Sequence, residues 1–154
     1  MYLAHSFISD AKQHTSQQPL ILVVEDNDDN LLLMSYALES LGCRFICQTD
    51  SFSTVLVAKE YQPDLIILDI LLPTFNGIDV VRCLKHDPLT YKIPVLAVTA
   101  LAAREDRERI LLAGFNDYIS KPYLLDDLEA VVRRLLLGKL EPHSTYELCQ
   151  DSSN

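Results

Sequence analysis

This chain has little to offer a metal–sulfur or disulfide framework. Its four cysteines, Cys43, Cys47, Cys83 and Cys149, include no CxxC pair, and its four histidines are not clustered, so the common zinc arrangements are excluded. Cys43 and Cys47 fall near one expected strand, where four steps of about 3.3 Å keep them too far apart for a disulfide. Reduced, mostly buried thiols follow. Basic charge is also scarce. With 13 Lys and Arg against 22 Asp and Glu, the net charge is -9, which excludes direct DNA binding through clustered cations. No apolar run approaches the roughly 18–20 residues that span a bilayer, and no basic region precedes a hydrophobic stretch at the N-terminus. A cytoplasmic protein with no membrane association is expected. At 154 residues the chain has room for one domain and no second effector domain. The expected organisation is a flexible leader over 1–18, the domain over 19–138 and a polar tail over 139–154.

What the chain does have is alternation. Short apolar runs at 20–24, 44–49, 65–68, 93–98 and 117–120 read as strands, and helical spacing appears over 31–41, 53–61, 77–86, 104–113 and 124–137. Leu31, Met34, Leu38 and Leu41 share one face of the first helix, which Gly42 ends. Phe45 and Cys47 should face one side of the second strand and Ile46 the other. Expected inward residues are Val55, Leu56 and Ala58 on the second helix, and Ile78, Val81, Cys83 and Leu84 on the third. On the last helix they are Leu125, Leu128, Val132 and Leu135. The fourth helix has only a weak apolar stripe, and a helix with few packed contacts is easier to shift. In the leader, Leu3, Phe7 and Ile8 suit a short docked helix. Five βα units without a hairpin signal imply an α/β fold, a doubly wound parallel sheet with helices on both faces.

The strand ends carry the chemistry. The run 65–68 leads straight into Asp69 and is broken by Pro73. Ligands of open α/β sheets bind beyond the carboxyl ends of the strands. An isolated aspartate there would merely cap a loop, but the other strands end in Glu25-Asp26, Thr99 and Lys121, all on the same rim. Clustered carboxylates repel, and a hard divalent cation relieves the repulsion. Magnesium suits two or three acids plus a backbone carbonyl, whereas calcium asks for more ligands than the sequence offers. A cation, an ammonium and a hydroxyl around one carboxylate suit phosphoryl transfer, which needs mainly positioning and charge neutralisation. Asp69 is then the nucleophile.

Val24-Glu25-Asp26-Asn27, Asp69-Ile70-Leu71-Leu72-Pro73 with Gly77, Val98-Thr99-Ala100 and Asp117-Tyr118-Ile119-Ser120-Lys121-Pro122 together resemble the receiver domain of two-component response regulators. The resemblance covers roughly residues 19–137. It implies a flavodoxin-like (βα)5 fold with strand order 2-1-3-4-5. It also implies that Asp69 is phosphorylated, and that Asp26, Asp69 and the backbone carbonyl of Leu71 hold Mg2+, with Glu25 acting through water. Lys121 matches the lysine that pairs with phosphoryl oxygens, and the peptide bond to Pro122 is usually cis in this family. Thr99 matches the hydroxyl that moves toward the phosphoryl group, and Tyr118 the aromatic switch that turns inward behind it. Glu25 stands where Asp is commoner, a longer arm that still reaches a metal-bound water. Leu72, Phe75 and Asn76 replace Met, Met and Asp, which changes packing and the loop but removes no reacting group. His86, His143 and the stretch 104–109 read as solvated surface.

The implied function is a phosphorelay response regulator of the stand-alone type. It takes a phosphoryl group from a phosphohistidine of a sensor histidine kinase or a histidine phosphotransfer protein, and catalyses only its own modification. Its output surface would be the fourth helix, fifth parallel strand and fifth helix, facing a downstream protein target or a second copy as a homodimer. A magnesium-dependent phosphohydrolase with an aspartyl-phosphate intermediate is the alternative, but it needs a second carboxylate where Leu71 stands. A non-catalytic receiver-like interaction module is disfavoured by the intact Asp26, Asp69 and Lys121. Leu71 and Leu101, apolar at positions that overhang the phosphoryl group, predict slow self-dephosphorylation.

Overall fold

The computed structural model describes residues 7–8, 18–72, 75–100 and 103–137. Its strands are β1 (Phe7–Ile8), β2 (Leu20–Val24), β3 (Arg44–Gln48), β4 (Leu65–Asp69), β5 (Val95–Thr99) and β6 (Asp117–Ser120). Its helices are α1 (Asp28–Ser40), α2 (Thr54–Tyr61), α3 (Gly77–His86), α4 (Arg104–Ala113) and α5 (Leu125–Leu135). The sheet runs β1-β3-β2-β4-β5-β6, and β2 to β6 pair in parallel. Counted over the five parallel strands, this is the expected order 2-1-3-4-5. The order reverses beside β2, between β3 and β4, and this topological switch point is where such sheets open a crevice.

Every residue of β2, β4 and β5 is buried, as expected of parallel strands covered on both faces. Leu22, Val24, Ile66, Leu68, Val95 and Ala97 join the core under α2, α3 and α4. Their neighbours Ile21, Val23, Leu65, Ile67, Leu96 and Val98 join the core under α1 and α5. Each fully buried Leu, Ile or Val contributes about 1.5–3 kcal/mol relative to exposure, so both layers hold the strand ends in register. As the alternation predicts, Phe45 and Cys47 lie on the α1 side and Ile46 on the other.

Four details differ from the sequence expectation. First, α1 begins at Asp28, because the side chain of Asn27 accepts the Asn30 N–H at 2.9 Å and caps the helix. Second, Leu56 is 67% exposed. The fully buried positions of α2 are Thr54 and Ala58, one turn apart, which puts Leu56 on the opposite side. Third, α3 buries Gly77, Val80, Val81 and Leu84, so Cys83 is turned out to solvent. Fourth, Phe7–Ile8 forms no helix and instead pairs antiparallel with β3, Phe7 opposite Cys47 and Ile8 opposite Ile46. Leu3, Cys149 and His143 lie outside the described residues.

Cys43 and Cys47 are buried free thiols, and burial pushes each up to about 11, so they stay protonated at neutral pH. Among the described residues no helix is long and apolar enough to cross a membrane.

Candidate functional site

The carboxyl ends of β2 and β4 lie side by side, since Val24 registers with Leu68, and each strand delivers an acid to the same crevice. Glu25 is only 2% exposed and accepts the Asn27 N–H at 3.2 Å, so its carboxylate is held by the turn that starts α1. Asp69 is also buried, and its Oδ1 accepts the Leu71 N–H at 3.0 Å. Asp26 is exposed at the mouth. Oxygens of Glu25, Asp26 and Asp69 all lie within 4.8 Å of one another.

Lys121 follows β6 and reaches across the crevice. Its Nζ is 3.0 Å from Glu25 Oε1 and 3.0 Å from Asp69 Oδ2. Its backbone N–H donates to the carbonyl of Thr99 at 2.7 Å, which ties the lysine to the end of β5. Thr99 is fully buried there. The Lys121–Pro122 bond is cis. On the other side of Asp69, α3 starts against the strand end: the Gly77 N–H donates to the Ile70 carbonyl at 2.9 Å. A Cβ at Gly77 would stand 2.7 Å from Ile70 Cα, so only glycine allows this approach.

Burial raises the pKa of Glu25, and the nearby charge of Asp69 adds to that rise, while the Lys121 hydrogen bond opposes it. For Lys121 burial is the largest influence and favours the neutral amine, but the hydrogen bonds and charges of Glu25 and Asp69 together outweigh it, so the ammonium is held above its ordinary pKa. Burial likewise raises the Tyr123 phenol, which feels the charge of Glu25. The crevice is therefore a carboxylate cluster with one ammonium as its internal counterion. Its donors are oxygens from three carboxyl groups at close range, a set that fits a hard divalent cation and not a soft one.

The family model of the response regulator receiver domain matches residues 21–133. The chain belongs to that family. A polar-differentiation response regulator DivK from Brucella anthropi is 41% identical over 102 residues, 66% of this chain and 83% of that protein. Among solved structures, the receiver domain of sensor histidine kinase PA1611 from Pseudomonas aeruginosa PAO1, with a magnesium ion coordinated in its active site cleft, has a TM-score of 0.71 at 34% identity. It covers 77% of this chain and 98% of that one. The signal receiver domain of a histidine kinase from Syntrophus aciditrophicus has a TM-score of 0.72 at 34% identity, covering 78% and 91%.

In this receiver domain Glu25, Asp26, Asp69 and Lys121 come together, and Thr99 ends the adjacent strand. Leu71 follows at the rim and is 53% exposed. Tyr118 sits farther along β6, half-buried against the α3 and α4 side of the core. Leu101 lies outside the described residues. Two contributors escaped the sequence reading. Asn27 both caps α1 and holds Glu25, and the acid pair followed by Asn and two further Asp was the helix-start signal that could have found it. Arg107 lies over the Tyr118 ring at 5.6 Å from its centroid, and nothing in the local pattern of α4 marks it.

Proposed function

We propose that this receiver domain accepts a phosphoryl group on Asp69 from a phosphohistidine of a sensor histidine kinase or histidine phosphotransfer protein. The observation that carries the reading is the Lys121 ammonium 3.0 Å from both Glu25 and Asp69, with Asp26 in reach of the same point. An oxygen of the Asp69 carboxylate attacks phosphorus, the phosphorus–nitrogen bond breaks, and its electron pair leaves with the imidazole nitrogen, which retains or gains a proton. Lys121 takes the charge of a phosphoryl oxygen as it leaves the carboxylate, and the Thr99 hydroxyl supplies a neutral donor at the end of β5. Magnesium would be held by Asp26, Asp69 and the Leu71 carbonyl, with Glu25 acting through a water, and would supply neutralisation of charge on the transferring oxygens. The magnesium-bearing cleft of the Pseudomonas aeruginosa receiver supports this assignment.

Phosphorylation adds roughly -1.5 to -2 charge. Lys121 and Thr99 then draw together around the phosphoryl group, Tyr118 turns inward, and the face made by α4, β6 and α5 changes toward a protein target or a second copy in the cytoplasm. The apolar Leu71 beside the acceptor orients no water, so the phosphoryl group is lost slowly, and Leu71→Asn should shorten its lifetime.

A beryllofluoride titration in the presence of magnesium tests the assignment. Saturable binding that disappears in Asp69→Asn is expected. No binding, or turnover of small phosphate esters, would overturn it, the latter in favour of a phosphohydrolase.

A further inference from the structure

The two sides of the sheet differ in how they discourage the addition of another strand. β6 is four residues long, begins with Asp117 in an ion pair with Arg134, and is followed by Pro122 two residues past its end. Shortness, charge and a nearby proline all oppose further pairing. β3 carries none of these along its middle. Phe45, Ile46, Cys47 and Gln48 are uncharged and buried, with neither proline nor glycine among them.

The outer side of β3 is a row of backbone groups that β2 does not use. Arg44 donates its N–H to the Pro19 carbonyl and the Gln48 carbonyl accepts the Glu25 N–H, so residues 44, 46 and 48 aim their backbone groups at β2. Phe45 and Cys47, in alternation with them, aim theirs outward. β1 meets this side antiparallel, with Phe7 opposite Cys47, the kind of pair in which both residues exchange N–H···O bonds. Ile8 stands opposite Ile46, whose own groups are directed at β2.

A second β3 fits the same row in one register. Placed antiparallel about a two-fold axis at Ile46, it sets Phe45 of each copy against Cys47 of the other, so that both outward residues form exchanging pairs. Arg44 then falls opposite Gln48 of the second copy, and no like charges face each other.

We infer that β1 is a guard strand: it occupies an interaction surface on β3 that fits a second copy of this chain, and by doing so keeps the chain from pairing β3 to β3. The inference does not rest on the chemistry at Asp69, and it concerns a different face from that of α4, β6 and α5. The net charge of -9 opposes association most strongly at low salt.

The experiment is sedimentation together with amide exchange on the full chain, over a series of protein concentrations at about 0.15 M salt, where the screening length is about 8 Å. The variant replaces both strand residues, Phe7→Pro with Ile8→Pro, because proline has no N–H to give the Cys47 carbonyl. The wild-type chain should remain monomeric, with the Cys47 amide protected at every concentration. The double variant should move toward twice the monomer mass as concentration rises, reversibly on dilution. Its Phe45 and Cys47 amides should exchange fast when dilute and regain protection when concentrated. A variant that stays monomeric overturns the inference, as does a Cys47 amide that is as protected in the dilute variant as in the wild type. A dimer that leaves Phe45 and Cys47 exchanging fast, or a wild-type chain already paired through β3, overturns it as well.

Discussion

Two helices of equal length border the crevice, and they are held in opposite ways. α3 is capped by Asn76, whose side chain accepts the N–H groups of Ile78 and Asp79 at 2.9 and 3.1 Å, and it buries Gly77, Val80, Val81 and Leu84. At its far end Lys85 donates to the carbonyls of Tyr91 and Ile93 and to Asn116, and Asp87 pairs with Lys59 at 2.8 Å. α4 has no side-chain cap and buries Ile110 alone. One wall of the site is therefore fixed by packing and hydrogen bonds, and the other is held by fewer of both. The phosphoryl acceptance proposed above would use both: a rigid strand end to keep Asp69 in place, and a less firmly held element to report what happens there.

The contrast can be broken most severely from the α3 side. Leu84→Ala removes a fully buried side chain and should cost about 2–5 kcal/mol in urea unfolding, whereas Leu112→Ala on α4, at a position 87% exposed, should leave the midpoint nearly unchanged. Equal losses would mean that the two helices are anchored alike. A smaller effect is expected at the helix starts. Asn76→Ala should destabilise by about 1 kcal/mol, while Ala103→Asp, at an extended backbone position lacking a cap, should stabilise α4 and slow amide exchange in its first turn. Faster exchange there would show that α4 begins elsewhere.

The smallest effect concerns charge at the end of α3. The Lys59 hydrogen bond, together with the Leu89 N–H, holds the Asp87 carboxyl below its ordinary 3.8. A depressed carboxyl adds stability that is present above 3.8 and is lost as pH falls through the lower, folded value. The carboxyl resonance of Asp87 should therefore titrate below 3.8 and move up toward it in Lys59→Met, with α3 of the variant exchanging faster than wild type above 3.8 and the two converging in acid. A midpoint that does not move in the variant would assign the pairing no role.

The sheet and the strand-end acids were legible because strands buried on both faces must be written as apolar runs. Leu20–Val24 and Leu65–Asp69 stop where the sheet stops. The helix faces were less legible. Val55, Leu56 and Val57 are adjacent apolar residues, and only the burial of Thr54, a polar residue, decides that Leu56 faces water. Cys83 was misread for a similar reason, because Val80, Val81 and Leu84 already fill the space beneath α3. The β1 pairing could not be read from two residues, a segment too short to show a period. Arg107 over Tyr118 joins two elements through a surface cation, and a charged residue on a charged helix carries no mark of its partner.

Both oxygens of Asp69 are already engaged, Oδ1 by the Leu71 N–H and Oδ2 by Lys121, each at 3.0 Å. The carboxylate is therefore held in one direction from both sides. Its orientational freedom was surrendered when the chain folded, and in the reaction proposed above a docking partner would inherit a nucleophile already aimed.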